Sequence, residues 1–350
     1  MKKDDHLDKE TSVSAELTPT GVKASAKSRF VAAVDRLGGN LVELMNAPIE
    51  AKVAERRAVS DSRVLAIETV AALGLERLKT DPDFAERAIR SHLDSMFAGQ
   101  ENKDAVLAKA VEDLRNQPPT EGEATSGSET LDEAFVRRFD RFAEAATTEE
   151  LREKWGRVLA QEIRTPNTFS AKVLRIVDEL DPQTAKLFET LCEHRLDNVV
   201  PKILSKELDF AEVAKLTGAD LLVEPGLGQR RLSFETQDSD GKDLWMWPFG
   251  REWAITVSRT SEPIGVFGDA TKTVLIENNM PTVPVYVLSA EGVAVASILP
   301  DNTATALDRL ATEISVVLSK LDVRTYGLSP DGQSMSPIRT IIARSEESPS

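Results

Sequence analysis

Apolar positions recur every three or four residues over most of the chain and every second residue in stretches beyond Leu221. The first spacing is that of a helix with one buried face, and the second is that of a strand. Val31, Val34, Leu37, Leu41, Leu44 and Met45 predict a helix despite Gly38-Gly39, and Ala47-Pro48 ends or kinks it. A longer amphipathic helix is predicted from Ile49 to Leu78 through Val53, Val64, Ile67, Val70, Ala71 and Leu75. Asp81-Pro82 places a capping side chain before a proline at the first helical position. It opens a helix through Ile89, Leu93, Met96 and Phe97, and a separate helix follows over Lys103–Leu114.

Beyond residue 130 the helical spacing sharpens. Phe135, Phe139 and Phe142 share one face of a helix over Leu131–Ala145. Thr148 followed by two glutamates reads as an N-cap with acids in the first turn. The helix it opens carries Leu151, Trp155, Val158, Leu159 and Ile163 on one side, and Pro166-Asn167 stops it. Ser170 caps the next helix, with Val173, Leu174, Ile176, Val177 and Leu180 inward. Asp181-Pro182 repeats the cap-plus-proline device before Gln183–His194, with Ala185, Leu187, Phe188 and Leu191 inward, and Phe210–Leu216 is one more short helix.

From Leu221 glycine-rich turns and alternation predict strands at Arg231–Thr236, Trp253–Val257, Thr273–Ile276 and Pro284–Leu288. Ser289–Leu299 returns to helix, and Asp301–Leu321 is a longer amphipathic helix through Leu307, Leu310, Ile314, Val317, Leu318 and Leu321. The fold class is therefore α+β, predominantly α, with helical N-terminal and central domains and a smaller mixed α/β C-terminal domain. Its divisions are a disordered 1–27, a helical region 29–116, a Pro/Gly/Ser/Thr/Glu linker 117–130, a central helical domain 131–216, a mixed domain 221–325, and a mostly disordered tail 329–350 with an apolar patch at Ile338–Ile342.

Composition narrows the function. The 350-residue chain has 58 acidic and 43 basic residues, a formal charge of −15. Such a surface repels a phosphate backbone unless a basic patch is segregated, so nucleic-acid binding is disfavoured. Cys192 is the single cysteine, which rules out an intrachain disulfide and fits a reducing compartment. The N-terminus has no apolar run after its lysines, and no stretch approaches the roughly 18 consecutive apolar residues of a membrane span. The expectation is a cytoplasmic protein.

Three runs carry a resemblance. They are Trp155-Gly156-Arg157-x-Leu159-Ala160-x-Glu162-Ile163, then Thr165-Pro166-Asn167-x-Phe169-Ser170, then Leu180–Phe188 with Leu187 and Phe188 at its end. Together they resemble the bacterial domain-of-unknown-function family 2806, which is similar in turn to the abortive-infection alpha proteins. Gln100-Glu101-Asn102, Phe139–Ala143 and Pro284–Gly292 extend the resemblance over roughly Asn40 to Leu299. The chain has Pro166-Asn167 where the family-like turn has Pro-Gly, and Leu288-Ser289 in place of Leu-Thr. Asn tolerates left-handed backbone and Ser caps as Thr does. The resemblance implies bacterial origin, a helical core and a link to phage defence, and it brings no catalytic residue.

The candidate chemistry is thin. Arg157 and Glu162 beside Trp155 suggest a ligand clamp, but the spacing favours a buried Trp155–Leu159–Ile163 stripe, with the two charges pairing to neighbouring helices. Cys192 and His194 stand two apart, pointing to different helix faces, and read as a core thiol and a surface imidazole. Three histidines and one cysteine do not assemble a zinc site. Pro225–Gln229 has half the glycines of a phosphate loop and reads as a turn. Arg137, Arg138 and Arg141 form a basic face expected to pair with Glu144, Glu149 and Glu150. Trp245, Trp247, Phe249 and Trp253 are either the core of a small sheet or an exposed interaction surface. The strand, Leu-Ser turn and helix over Val285–Leu299 are winged-helix-like, yet the accompanying helices are short of the basic residues a recognition helix carries. No catalytic residue, cofactor or metal ligand emerges. The leading expectation is a non-enzymatic protein-interaction module, with Ile49–Leu78 and Asp301–Leu321 as candidates for homo-oligomer contacts. A winged-helix nucleic-acid regulator and an enzyme of unrecognised type are the rivals.

Overall fold

A computed structural model describes residues 24–37, 82–120, 123, 128, 130–205, 207–226, 228–259, 274–277, 280–318, 321–328 and 334–342. The expected helix Ile49–Leu78, the Asp81 cap, most of 1–27, most of the 117–130 linker and the last residues of the tail lie outside them. The chain divides into two compact units, Met1–Leu174 and Arg175–Ser350.

In the first unit, α1 (Ala24–Arg36), α2 (Pro82–Asn116), α3 (Glu133–Glu144) and α4 (Glu149–Arg164) precede α5 (Ala171–Glu179), within which the division falls. Helix α1 begins inside the segment expected to be disordered, because Ala24–Lys27 are good helix formers. Its buried stripe is Phe30, Ala33, Val34 and Leu37, while Val31, expected inward, is 40% exposed.

Helix α2 is continuous over 35 residues where the spacing predicted two helices. The Gly99–Asn102 stretch that suggested a break is held by a neighbour. Gly99 lies against Glu144, and the Asn102 side-chain amide donates to the Glu144 carbonyl at 2.8 Å. The second half of α2 buries Val106, Leu107, Ala110, Val111 and Leu114 and packs on α3 and α4. Asp132 caps α3 by accepting from Phe135 N–H at 2.8 Å, and Thr148 caps α4 by accepting from Leu151 N–H. Phe142 stacks on Trp155 at 4.6 Å, and Phe139 meets the same indole edge-on at 6.0 Å.

The second unit continues with α6 (Pro182–Cys192), β1 (Val199–Pro201) and α7 (Phe210–Gly218). Two antiparallel sheets and two helices follow. In the first sheet β7 (Met280–Val287) pairs with β1, β2 (Gln229–Leu232) and β6 (Leu275–Glu277). The second has the order β3 (Phe234–Gln237), β4 (Asp243–Phe249), β5 (Trp253–Ser258), β8 (Val323–Leu328), β9 (Met335–Ile341). Helices α8 (Ala290–Ala296) and α9 (Thr303–Val317) lie between β7 and β8 in the chain. The Asp181-Pro182 cap behaves as the sequence implied: Asp181 accepts from the N–H groups of Gln183 and Thr184, both at 3.0 Å. Ser289 caps α8 by accepting from Gly292 N–H.

Three expectations about this unit change. The single strand Arg231–Thr236 is two strands in different sheets, with Leu232 opposite Thr282 and Phe234 opposite Met246. Buried Ser233 is the corner between them. The tail expected to be mostly disordered contains β9, an edge strand in which Pro337 is tolerated because the outer edge needs no donor. The apolar face of α9, a candidate for self-association, is spent internally. Ala306, Leu307, Leu310, Ala311 and Ile314 pack with Trp245, Trp247, Phe249, Ile255, Val257 and Val323 in one core.

Candidate functional site

The residues that carry the resemblance are packing residues. Trp155, Leu159 and Ile163 are the buried face of α4, and Phe169 is buried after it. Gly156 allows the close crossing of α4 over α2: a Cβ there would stand 2.5 Å from the Lys109 Cβ and 3.0 Å from the Ala110 nitrogen. Pro166 is half-buried in the turn, and Asn167 has φ +68°, the left-handed conformation that Pro-Asn was expected to supply. In the second unit Phe188 is buried and Leu187 half-buried on α6.

The two charged residues of the motif do not clamp anything together. Arg157 pairs at 2.6 Å with Glu153 on its own helix, not with a neighbouring helix. Glu162 is fully buried and turns its carboxylate to the backbone downstream: Oε1 accepts from Asn167 N–H at 2.7 Å, and Oε2 from Phe169 N–H at 3.0 Å. Burial pushes this carboxyl above the ordinary glutamate range against the pull of those donors. Buried Arg29 sits in the same polar layer and donates to the carbonyls of Ile163 and Ser128. Buried Arg164 joins the Asp113 carboxylate and the Gln117 carbonyl, tying the end of α4 to that of α2. Arg29 and Arg164 were not singled out in the sequence, because nothing in their spacing separates them from surface arginines.

Cys192 is buried, and desolvation pushes its thiol up to about 12, far from a nucleophilic thiolate at neutral pH. His194 is half-buried rather than on the surface. Desolvation, then nearby Arg309, holds its imidazole below the ordinary range. Arg137 pairs with Glu133 one turn back on its own helix, not with Glu144, Glu149 or Glu150. Gly226 and Gly228 adopt positive φ in the turn that leads into β2, as a connection and not a phosphate cradle requires. Helix α8 carries no arginine or lysine, and α7 carries one lysine, Lys215.

The aromatic cluster resolves toward the core alternative. Trp245, Trp247 and Phe249 are buried, and Trp253 is half-buried against the same cluster. The interaction-surface reading of these four residues is thus corrected: strand alternation turns all three residues of β4 toward α9. The opposite face of that sheet is different. One row across it runs Phe234, Met246, Thr256, Arg324, Thr340, and a second runs Pro248, Ala254, Tyr326, Pro337. These two rows and the β3–β4 turn line an open groove of about 510 Å³. Its floor is apolar or small, with Leu244, Met246, Ala254 and Thr256. Its charged end holds Arg324, which bonds to the Tyr326 side chain and to the Asp238 carboxylate at 3.3 Å. The backbone N–H of Lys242, then that of Asp240 and then Arg324, keep the Asp238 carboxyl below the usual carboxylate range. The Thr256 hydroxyl is buried and has no hydrogen-bond partner among the described residues. Also among the described residues, no group of three or more His, Cys, Asp and Glu side chains could hold a metal, and no helix is long and apolar enough to cross a membrane.

Residues 86–234 match the family described as Protein of unknown function (DUF2806). The matched stretch starts in α2 and ends at the first residue of β3, shorter at both ends than the resemblance read from 40 to 299. No curated protein matches the chain significantly. No solved structure matches it significantly either.

Proposed function

We propose that the protein is a non-enzymatic protein-interaction module that makes contact through the first half of α2. The carrying observation is the course of one stripe that is apolar except for Gln100 and Lys103 at its middle. Ile89, Leu93, Met96, Gln100, Lys103, Leu107, Ala110 and Leu114 alternate at steps of four and three, the spacing of a helix–helix seam. Its second half is buried by α3 and α4. Its first half presents half-buried Ile89 and Leu93 and a Met96 that is 54% exposed. Methionine and leucine on a helix face suit an adaptable helical partner. The matched family stretch includes this segment together with the buried Trp155, Leu159, Ile163 and Phe169, which supports a scaffold presenting a helix.

The resemblance to abortive-infection alpha proteins adds the proposal of a role in bacterial phage defence. The test is affinity purification of the tagged full chain from its native host, with and without phage, beside Leu93→Glu/Met96→Glu. A stoichiometric protein partner lost from the double variant, which should keep its helical circular dichroism, supports the reading. A partner set unchanged by the double variant overturns it. Co-purified DNA released by salt replaces it with the winged-helix alternative.

A further inference from the structure

We infer that the open face of the β3–β4–β5–β8–β9 sheet binds a small, neutral aromatic molecule carrying one hydrogen-bonding group. This goes beyond the interaction reading and uses none of its residues. A five-stranded sheet needs apolar cover on one face, and α9 supplies that on the tryptophan side. The other face has a groove of about 510 Å³, within the range of roughly 300–1,000 Å³ common to small-molecule sites.

Three observations set the chemistry. First, Thr256 is 3% exposed, lies on the central strand with its side chain in the groove-facing row, and its hydroxyl has no partner among the described residues. A buried unpaired hydroxyl is costly, and a ligand group that pairs with it recovers that cost. Second, Arg324 is already paired with the Asp238 carboxylate at 3.3 Å, so among the described residues lining the groove there is no uncommitted cation to draw an anion. Third, Met246 and Met335 line the groove with the Tyr326 ring. Thioethers and an aromatic face favour a flat aromatic body over a branched aliphatic one.

Indole is the probe: it is flat, neutral and has one N–H to donate to the Thr256 hydroxyl. Binding to the full-length protein is read by saturation-transfer NMR titration, beside the anionic indole-3-acetate and the cationic tryptamine. Thr256→Val keeps shape and β-branching while removing the hydroxyl, so its melting temperature stays equal or rises. It should weaken indole about fivefold, the value of one modest hydrogen bond. Ala254→Leu, which fills the floor, should abolish binding. Indole saturation with both effects supports the site. No indole binding, equal binding by both variants, or tighter binding of either charged analogue overturns it.

Discussion

Two helical glycines give opposite predictions from similar distances. A Cβ on Gly156 would stand 2.5 Å from the Lys109 Cβ and 3.0 Å from the Ala110 nitrogen. One on Gly99 would stand 2.6 Å from Glu144 Cγ and 2.8 Å from its Oε1. Ordinary carbon–carbon contact is about 3.5–4.0 Å. At Gly156 the shortfall is about 1 Å against a backbone, and the only relief is to push α4 away from α2. That loosens the contacts of Val106, Leu107 and Ala110 with α4. Overpacking of this kind costs about 1–3 kcal/mol, occasionally more, and the gain from Ala over Gly in a helix returns about 1 kcal/mol. Because the obstacle at Gly156 is backbone, the upper part of that range, about 2–3 kcal/mol, applies, and the net expectation for Gly156→Ala is a loss of about 1–2 kcal/mol, or roughly 2–8 °C in the transition of this unit. At Gly99 the obstacle is the exposed side chain of Glu144, which swings away at little cost, so the helix gain dominates. Gly99→Ala is expected to be neutral or stabilising by up to about 1 kcal/mol. Calorimetric scans and urea titrations followed at 222 nm compare the two variants with wild type. A Gly156→Ala protein that melts with or above wild type would refute the close-crossing argument, and so would the reverse order of the two variants.

Other residues give further expectations. Trp155→Ala removes an indole packed on Phe139 and Phe142 and should cost about 3–5 kcal/mol; a soluble variant with normal urea midpoint would contradict its place in the core. Cys192, buried with its thiol pushed up to about 12, should resist alkylation by iodoacetamide at pH 8 in the native protein and react at once in urea. Glu162→Gln places an amide N–H₂ against one of two backbone donors and should cost about 1–3 kcal/mol in urea unfolding. Because burial raises the Glu162 carboxyl, its contribution is fullest below the unfolded glutamate value of 4.5 and is lost as pH rises through the folded value. The stability gap between wild type and Glu162→Gln should therefore narrow over that rise, and a gap that widens with pH would show the ionised form to be the favoured one.

What the sequence displayed best was whatever a single helix or strand decides by itself. Thr148, Ser170, Asp181 and Ser289 each cap the helix they were expected to cap, because capping involves neighbours within three residues. The left-handed turn at Asn167 was legible for the same reason. What stayed hidden depends on contacts distant in the chain. The sequence left Trp245 and Trp247 as either sheet core or exposed surface, and the choice is made by α9, some 60 residues later. Glycine and polar residues at 99–102 looked like a break, and only the Glu144 carbonyl, 42 residues away from Asn102, makes them a seam. Ser233 divides an apparently uniform strand because its two sides find different sheets.

The same distinction explains why the stretch around Trp155 is similar to a family yet points to no reaction. Its aromatic and aliphatic members fill a core, and its glycine sets a crossing distance. Glu162, the residue that most suggested chemistry, spends both oxygens on the backbone of the turn that follows it. A fully buried carboxyl group turned in this way to two backbone N–H groups is out of reach of a substrate, and its burial costs stability that those bonds offset. That combination holds the Pro166-Asn167 turn in one conformation. In the groove on the second unit the situation is inverted. There the Thr256 hydroxyl is buried with its hydrogen-bonding capacity unused, and the sequence around it, WAITVS, shows nothing but a strand. Residues whose polar groups are already satisfied hold the fold, so the search for a ligand belongs where a buried polar group on the groove-facing side of the sheet is not.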